Sequence, residues 1–129
     1  MAYTIDKTFQ GEEFSKIVER TRTALAAEGF GILTEIDVKA TLKKKINEDI
    51  ANYLILGACN PKMAHEAMKI EPQVGAMLPC NVIVRSTGVD QVMVSAIDPV
   101  ASMLAIPNDR LKALAGQVRA MLETVVSTI

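Results

Sequence analysis

The chain has 129 residues, half of them apolar and 22% charged, with a formal net charge of −1, two cysteines and no tryptophan. That length and apolar content suit one domain over residues 1–129, with a full hydrophobic core and no need of disulfide or metal staples. The balanced charge offers no basic face for nucleic acid, and the few aromatic residues offer no stacking platform for a single strand, so no nucleic-acid partner is expected.

The first residues, MAYTIDKTF, lack the basic start and apolar stretch of a secretory signal, which predicts a cytoplasmic protein. No apolar run approaches the roughly 18 residues of a bilayer span, so no membrane association is expected. Tyr3, Ile5 and Phe9 alternate with Thr4, Asp6 and Thr8, the period of a half-buried strand. From Glu12 onward Phe14, Ile17, Val18, Thr21 and Leu25 recur at helical steps, and Gly29 closes that helix through its access to the left-handed conformation. FGILTEID reads as a second strand. Asp37 then caps a helix through Val38 to Ile46, on which Lys43, Lys44 and Lys45 read as a solvated face.

YLILGAC, Tyr53 to Cys59, is apolar on both faces, which predicts a central strand covered on both sides by helices or by a second subunit. Gly57 inside it marks a bulge or a close approach by another group. Asn60-Pro61 starts the next helix, with Asn accepting from first-turn amides and Pro at the first helical position. On that helix Met63, Ala64, Ala67, Met68 and Ile70 gather on one side, and His65 lies at the boundary. EPQVGAMLP breaks the helical pattern. Cys80 to Thr87 and Gln91 to Ile97 are then alternating strands joined by a turn slightly longer than two residues. Asp98-Pro99 opens another helix, and Leu111, Leu114, Val118, Met121, Leu122 and Val125 mark a last one. The element order predicts an α+β fold, with a mainly antiparallel or mixed sheet of about five strands and helices packed on it.

The chemistry-bearing feature is a corner of Cys59, Asn60, Pro61, Pro79, Cys80 and Asn81. If the strands ending at Cys59 and beginning at Cys80 are antiparallel neighbours, both thiols reach one rim of the sheet; a parallel crossover would separate them. A helix start beside Cys59 favours a thiolate there, and its free amides favour an anionic group. The plain alternative is that both cysteines are small buried hydrophobes and His65 a partly exposed surface residue. Met63 and Met77 near the thiols would offer soft sulfur to copper(I), although no Cys-x-x-Cys or His-rich spacing accompanies them. No cofactor is indicated, and no phosphate loop or nucleophile motif is present.

LILGACNP with PKMAHEAM, then VGAMLPCNVIVR and VMVSAIDP, resembles the domain-of-unknown-function family 302, a set of small bacterial and archaeal proteins. The resemblance covers Tyr3 to Met103, with its strongest elements at Gly57, Cys59, Asn60, Pro61, Gly75, Leu78, Pro79, Cys80, Asn81, Asp98 and Pro99. It implies an α+β domain that assembles as a homodimer and supplies no catalytic residues. A mean hydropathy of +0.23 likewise leaves apolar surface for a subunit interface. The leading expectation is a homodimeric binding or sensing module whose corner accepts a small anionic or thiol ligand. One alternative is sulfur-transfer or redox chemistry at Cys59 with Cys80; another is a structural or protein-interaction module without a pocket.

Overall fold

The computed structural model describes residues 2–129. Strand β1 (Thr4–Gln10) leads to helix α1 (Phe14–Ala27), β2 (Gly31–Asp37), α2 (Val38–Ile46), β3 (Tyr53–Cys59) and α3 (Pro61–Ile70). A 3-10 helix (Pro72–Met77), strands β4 (Cys80–Gly88) and β5 (Gln91–Ile97), and helices α4 (Pro99–Ser102) and α5 (Asp109–Thr128) complete the chain. The breaker segment therefore still makes about two turns of 3-10 helix, anchored by buried Val74. No helix among the described residues is long and apolar enough to cross a membrane.

Local chemistry accounts for the element ends. Gly29 adopts φ +82°, while its N–H donates to Ala26 O at 3.1 Å and that of Phe30 to Leu25 O at 3.0 Å. These two bonds close α1 and turn the chain into β2. The Asp37 carboxylate accepts from Ala40 N–H at 2.9 Å and starts α2; Asn47, at φ 56°, ends it. Asp98 accepts from Val100 N–H at 2.9 Å and starts α4.

The sheet has the order β1-β5-β4-β3-β2, and every neighbouring pair is antiparallel. One face carries Leu54, Leu56, Val82, Val84, Val92 and Val94, all buried under α1 and α5. Thr21 sits in this core with its hydroxyl donating to Ile17 O at 2.7 Å, so no polar group is stranded there. A second, smaller core gathers Ala67, Val74, Met103, Leu111 and Ala115 from α3, the 3-10 helix, the end of α4 and the start of α5.

The other face of the sheet is uncovered by helices. Leu54, Leu56 and Ala58 of β3 are buried, but Tyr53 and Ile55, which alternate with them, are only half-buried. The reason is topological: α1 joins β1 to β2 at opposite edges across one face, α5 returns over that same face, and α2 buries no residue. The hairpin also differs from expectation. Gly88 pairs with Gln91 after a register shift, leaving Val89-Asp90 as a two-residue turn with Asp90 at φ 54°.

Candidate functional site

The antiparallel register of β3 and β4 sets Ala58 opposite Cys80. Cys59 is the next residue on β3, so both cysteines reach the same rim, as the antiparallel alternative required. Gly57 makes this packing possible. A Cβ there would collide with Thr34 Oγ1 and stand 2.8 Å from Pro79 Cγ, so only glycine lets β2 and the start of β4 close over the strand.

At this rim the two cores meet around a cavity. Phe30, Ala58, Cys80 and Val118 come from the sheet side, Ala67, Leu78, Met103 and Leu111 come from the smaller core, and Met63 of α3 adds to the lining. The space open to the centre of a water-sized sphere is about 40 Å³, more than the ~15 Å³ that one water requires. No charged residue lines it; Asn60 and the two thiols are its only polar side chains.

Both cysteines are free thiols, Cys59 half-buried and Cys80 buried. Burial pushes the Cys80 thiol up to about 11, helped by its proximity to Cys59, and burial also pushes Cys59 upward. This direction is opposite to the lowered pKa expected from the helix start. The local geometry supplies a reason: Asn60 Oδ1 accepts from Met63 N–H at 3.3 Å, so the cap, not the thiol or an anion, satisfies that first-turn amide.

The six-residue corner thus divides. Cys59, Asn60 and Cys80 line the cavity. Pro61 is exposed in the first turn of α3, and Pro79 covers Gly57. Asn81, opposite Gly57 in the ladder, lines a groove on the uncovered sheet face with Tyr53, Arg85 and Ser95. His65 is exposed and does not reach the cavity. Met77 is exposed also, and the second thioether at the cavity is Met103, which follows the Asp98-Pro99 helix start. Among the described residues no three His, Cys, Asp or Glu side chains cluster in a way that could hold a metal ion.

No curated protein matches the chain. A crystal structure of an uncharacterized conserved DUF302 protein from Bacillus stearothermophilus superposes with a TM-score of 0.92 at 22% identity, covering 99% of this chain and 98% of that one. At that identity the likeness establishes the fold. Residues 5–129 match the domain of unknown function DUF302, and the chain belongs to that family.

Proposed function

We propose that this chain is a non-catalytic binding or sensing domain of the cytosol, and that its ligand occupies the apolar cavity between β3, β4, α3 and α5. The observation that carries the reading is a space larger than a water, lined by apolar residues and the two cysteines at the seam of two cores. An apolar pocket with a few convergent polar groups is the usual form of a small-ligand site. The lining also modifies the ligand class expected from sequence. With no cationic side chain and with the Met63 amide already capped, an anion would lose its hydration without compensation. The ligand is therefore one that carries no net charge once bound. Both raised thiols weigh against the sulfur-transfer alternative, because a protonated thiol is a poor nucleophile.

Thermal shift tests this directly, since a ligand of the native state raises stability by about 2.7 kcal/mol at a hundred times its Kd. Methanethiol, small enough for a space of about 40 Å³, should raise the melting temperature, and acetate and phosphate should not. A shift from the anions alone, or none from any compound, would sink the reading.

The homodimer expected from sequence finds its support on the uncovered face. Ile36, Ile55 and Ile83 form a row across β2, β3 and β4, flanked by Tyr53 and Met93. On the same face lie Asp6 and Arg85, neither of which has an ion-pair partner among the described residues. Asp6 pairs with Ser95 and Arg85 with Met93, two strands and two residues apart, so their Cα atoms are separated by about 12 Å. A two-fold axis parallel to the sheet, crossing the midpoint of that line at right angles, sets each Arg85 over the partner copy's carboxylate. The second copy is thus the occupant to which this face is complementary. Sedimentation that finds only monomer at micromolar concentration would remove this part of the proposal.

A further inference from the structure

One wall of the cavity is an excursion from the sheet. Strands β4 and β5 are antiparallel neighbours joined by a tight turn, whereas β3 and β4, equally neighbours, are joined through α3 and the 3-10 helix. This segment, residues 61–77, gives Met63, Ala64 and Ala67 to the cavity, while Ala58, Cys80 and Val118 belong to the body of the domain. Its attachment is slight. Only Ala67 and Val74 of the segment are buried, against Ile17, Val18, Thr21, Ala24 and Leu25 of α1. Helix α1 packs on β2, β4, β5 and α5; α3 packs chiefly on the 3-10 helix and α5.

The polar fastenings of the segment lie within it or at its ends. Glu71 N–H donates to Ala67 O at 2.8 Å, Val74 N–H to Glu71 O at 3.0 Å, and Lys69 pairs with Glu66 at 3.0 Å. The Asn60 side chain caps the entry and Pro79 stands over Gly57 at the exit. Among the described residues, the one side-chain hydrogen bond from the rest of the chain onto its middle runs from Asn108 Nδ2 to Ile70 O. At 3.4 Å it is longer than the usual range of about 2.7–3.2 Å. No ion pair among the described residues joins the segment to the body. Swinging it outward therefore separates the smaller core and breaks that long bond, while the β-ladders and the main core stay intact. A region with so few buried contacts opens at far lower cost than the whole domain.

We propose that α3 and the 3-10 helix form a door on the cavity, which opens as one unit about its ends at Asn60 and Pro79 while the sheet stays folded, and that an occupant of the cavity holds it shut. This rests on the reading of the cavity as the ligand site and adds how occupancy is signalled. The closed form offers a ligand both walls, Ala67 on one side and Ala58, Cys80 and Val118 on the other; the open form offers one. That difference in contact is what shifts the population toward the closed form. When the cavity is empty, a fraction of molecules exposes the inner face of Ala67, Ile70 and Val74, which otherwise packs against Met103, Leu111 and Ala115.

The test is native-state hydrogen exchange of the full chain at low denaturant, comparing the amides of Ala67, Met68, Lys69 and Ile70 in α3 with those of Leu56, Val84 and Val94 in the sheet. The α3 amides should exchange together, at least about tenfold faster than the strand amides and with a shallower dependence on denaturant. Ile17→Val, in the main core, should speed the strand amides about two- to tenfold and leave the α3 amides unchanged, because the closed and open forms share that core. Val74→Ala, in the smaller core, should speed both sets by one common factor, because only the closed form contains its packing. If Val74→Ala does not fold, the parent chain and Ile17→Val still decide the matter. Methanethiol at a hundred times its Kd should slow both sets about a hundredfold. The door is overturned by α3 amides that exchange at the strand rate, or that Ile17→Val speeds as much as the strands. Strand amides slowed by methanethiol beside unslowed α3 amides would overturn the claim that an occupant holds it shut, while the cavity reading stands. If the α3 amides open as a unit and methanethiol slows neither set, the door stands and the cavity reading fails, taking with it the closure by ligand.

Discussion

Replacing Gly57 by alanine tests the closest approach on which the corner is built. The new methyl collides with Thr34 Oγ1 and stands 2.8 Å from Pro79 Cγ, well inside contact distance for both. Overpacking a filled site costs about 1–3 kcal/mol. Against this, a glycine whose φ is not in the left-handed region gains about 0.4–1 kcal/mol on becoming alanine, through the unfolded chain. The expected net loss is about 1–2 kcal/mol. Thr34 lies exposed on edge strand β2, so Thr34→Ala alone should change stability by less than about 0.5 kcal/mol. In the double variant one of the two collisions is gone, and about half of the loss should return as a coupling energy. The other collision persists, because the Pro79 ring is fixed to the start of β4. Urea unfolding of the four proteins of the cycle, with equal slopes, measures this. If Gly57→Ala unfolds within 0.5 kcal/mol of the parent protein, or if the two substitutions add, Thr34 and Pro79 do not close over β3 as described.

Three further expectations address the thiols, the caps and the open face. The Cys80 pKa is raised from 9.0 to about 11, so the folded chain holds a proton that the unfolded one releases between those values. Stability is therefore fully present below pH 9 and should fall by roughly 2–3 kcal/mol as pH rises to 11, a decline absent from Cys80→Ala; a flat alkaline profile in the parent protein would refute it. Asp98→Ala loses both the α4 cap and the 3.2 Å ion pair with Arg119, and should cost about 1–3 kcal/mol in urea unfolding, whereas no loss would show the cap to be redundant. Arg85→Glu should split the proposed dimer in sedimentation and Arg85→Glu with Asp6→Lys should restore it; a dimer indifferent to both would lie on some other surface.

Legibility in the sequence followed the range of the interaction. Gly29, Asp37, Asn60 and Asp98 announce helix ends because their effect is completed within a few residues, and each performs the expected role. The neighbour relation of β3 and β4 was not legible, because the segment from Asn60 to Pro79 is long enough for a crossover or for a return beside the same strand. The doubly apolar pattern of β3 likewise does not reveal which side α1 and α5 will cover. The cavity was half legible. Cys59, Asn60 and Cys80 stand out locally, but Met103 and the α5 residues Leu111, Ala115 and Val118 read only as helix-face hydrophobes until two cores are brought together.

The alternation of β3 and β4 ties the cavity to the open face. Ala58 and Cys80 form one ladder pair and line the cavity, while Gly57 and Asn81 form the next pair, with Asn81 at the groove on the opposite face. A slip of one residue would exchange the faces and bury Asn81 in place of Cys80, so the register is locked by the core. The proposed ligand site and the proposed subunit interface thus lie on opposite sides of strands that pack, at Gly57, with no room for even a methyl group. Under linkage, whatever factor the proposed ligand imposes on the affinity of the proposed dimer must be returned by that dimer on ligand affinity. Comparing the dimer constant with and without ligand, and the ligand affinity below and above that constant, measures the same quantity twice. Unequal factors would mean that the two sites do not share a two-state element in this pair of strands.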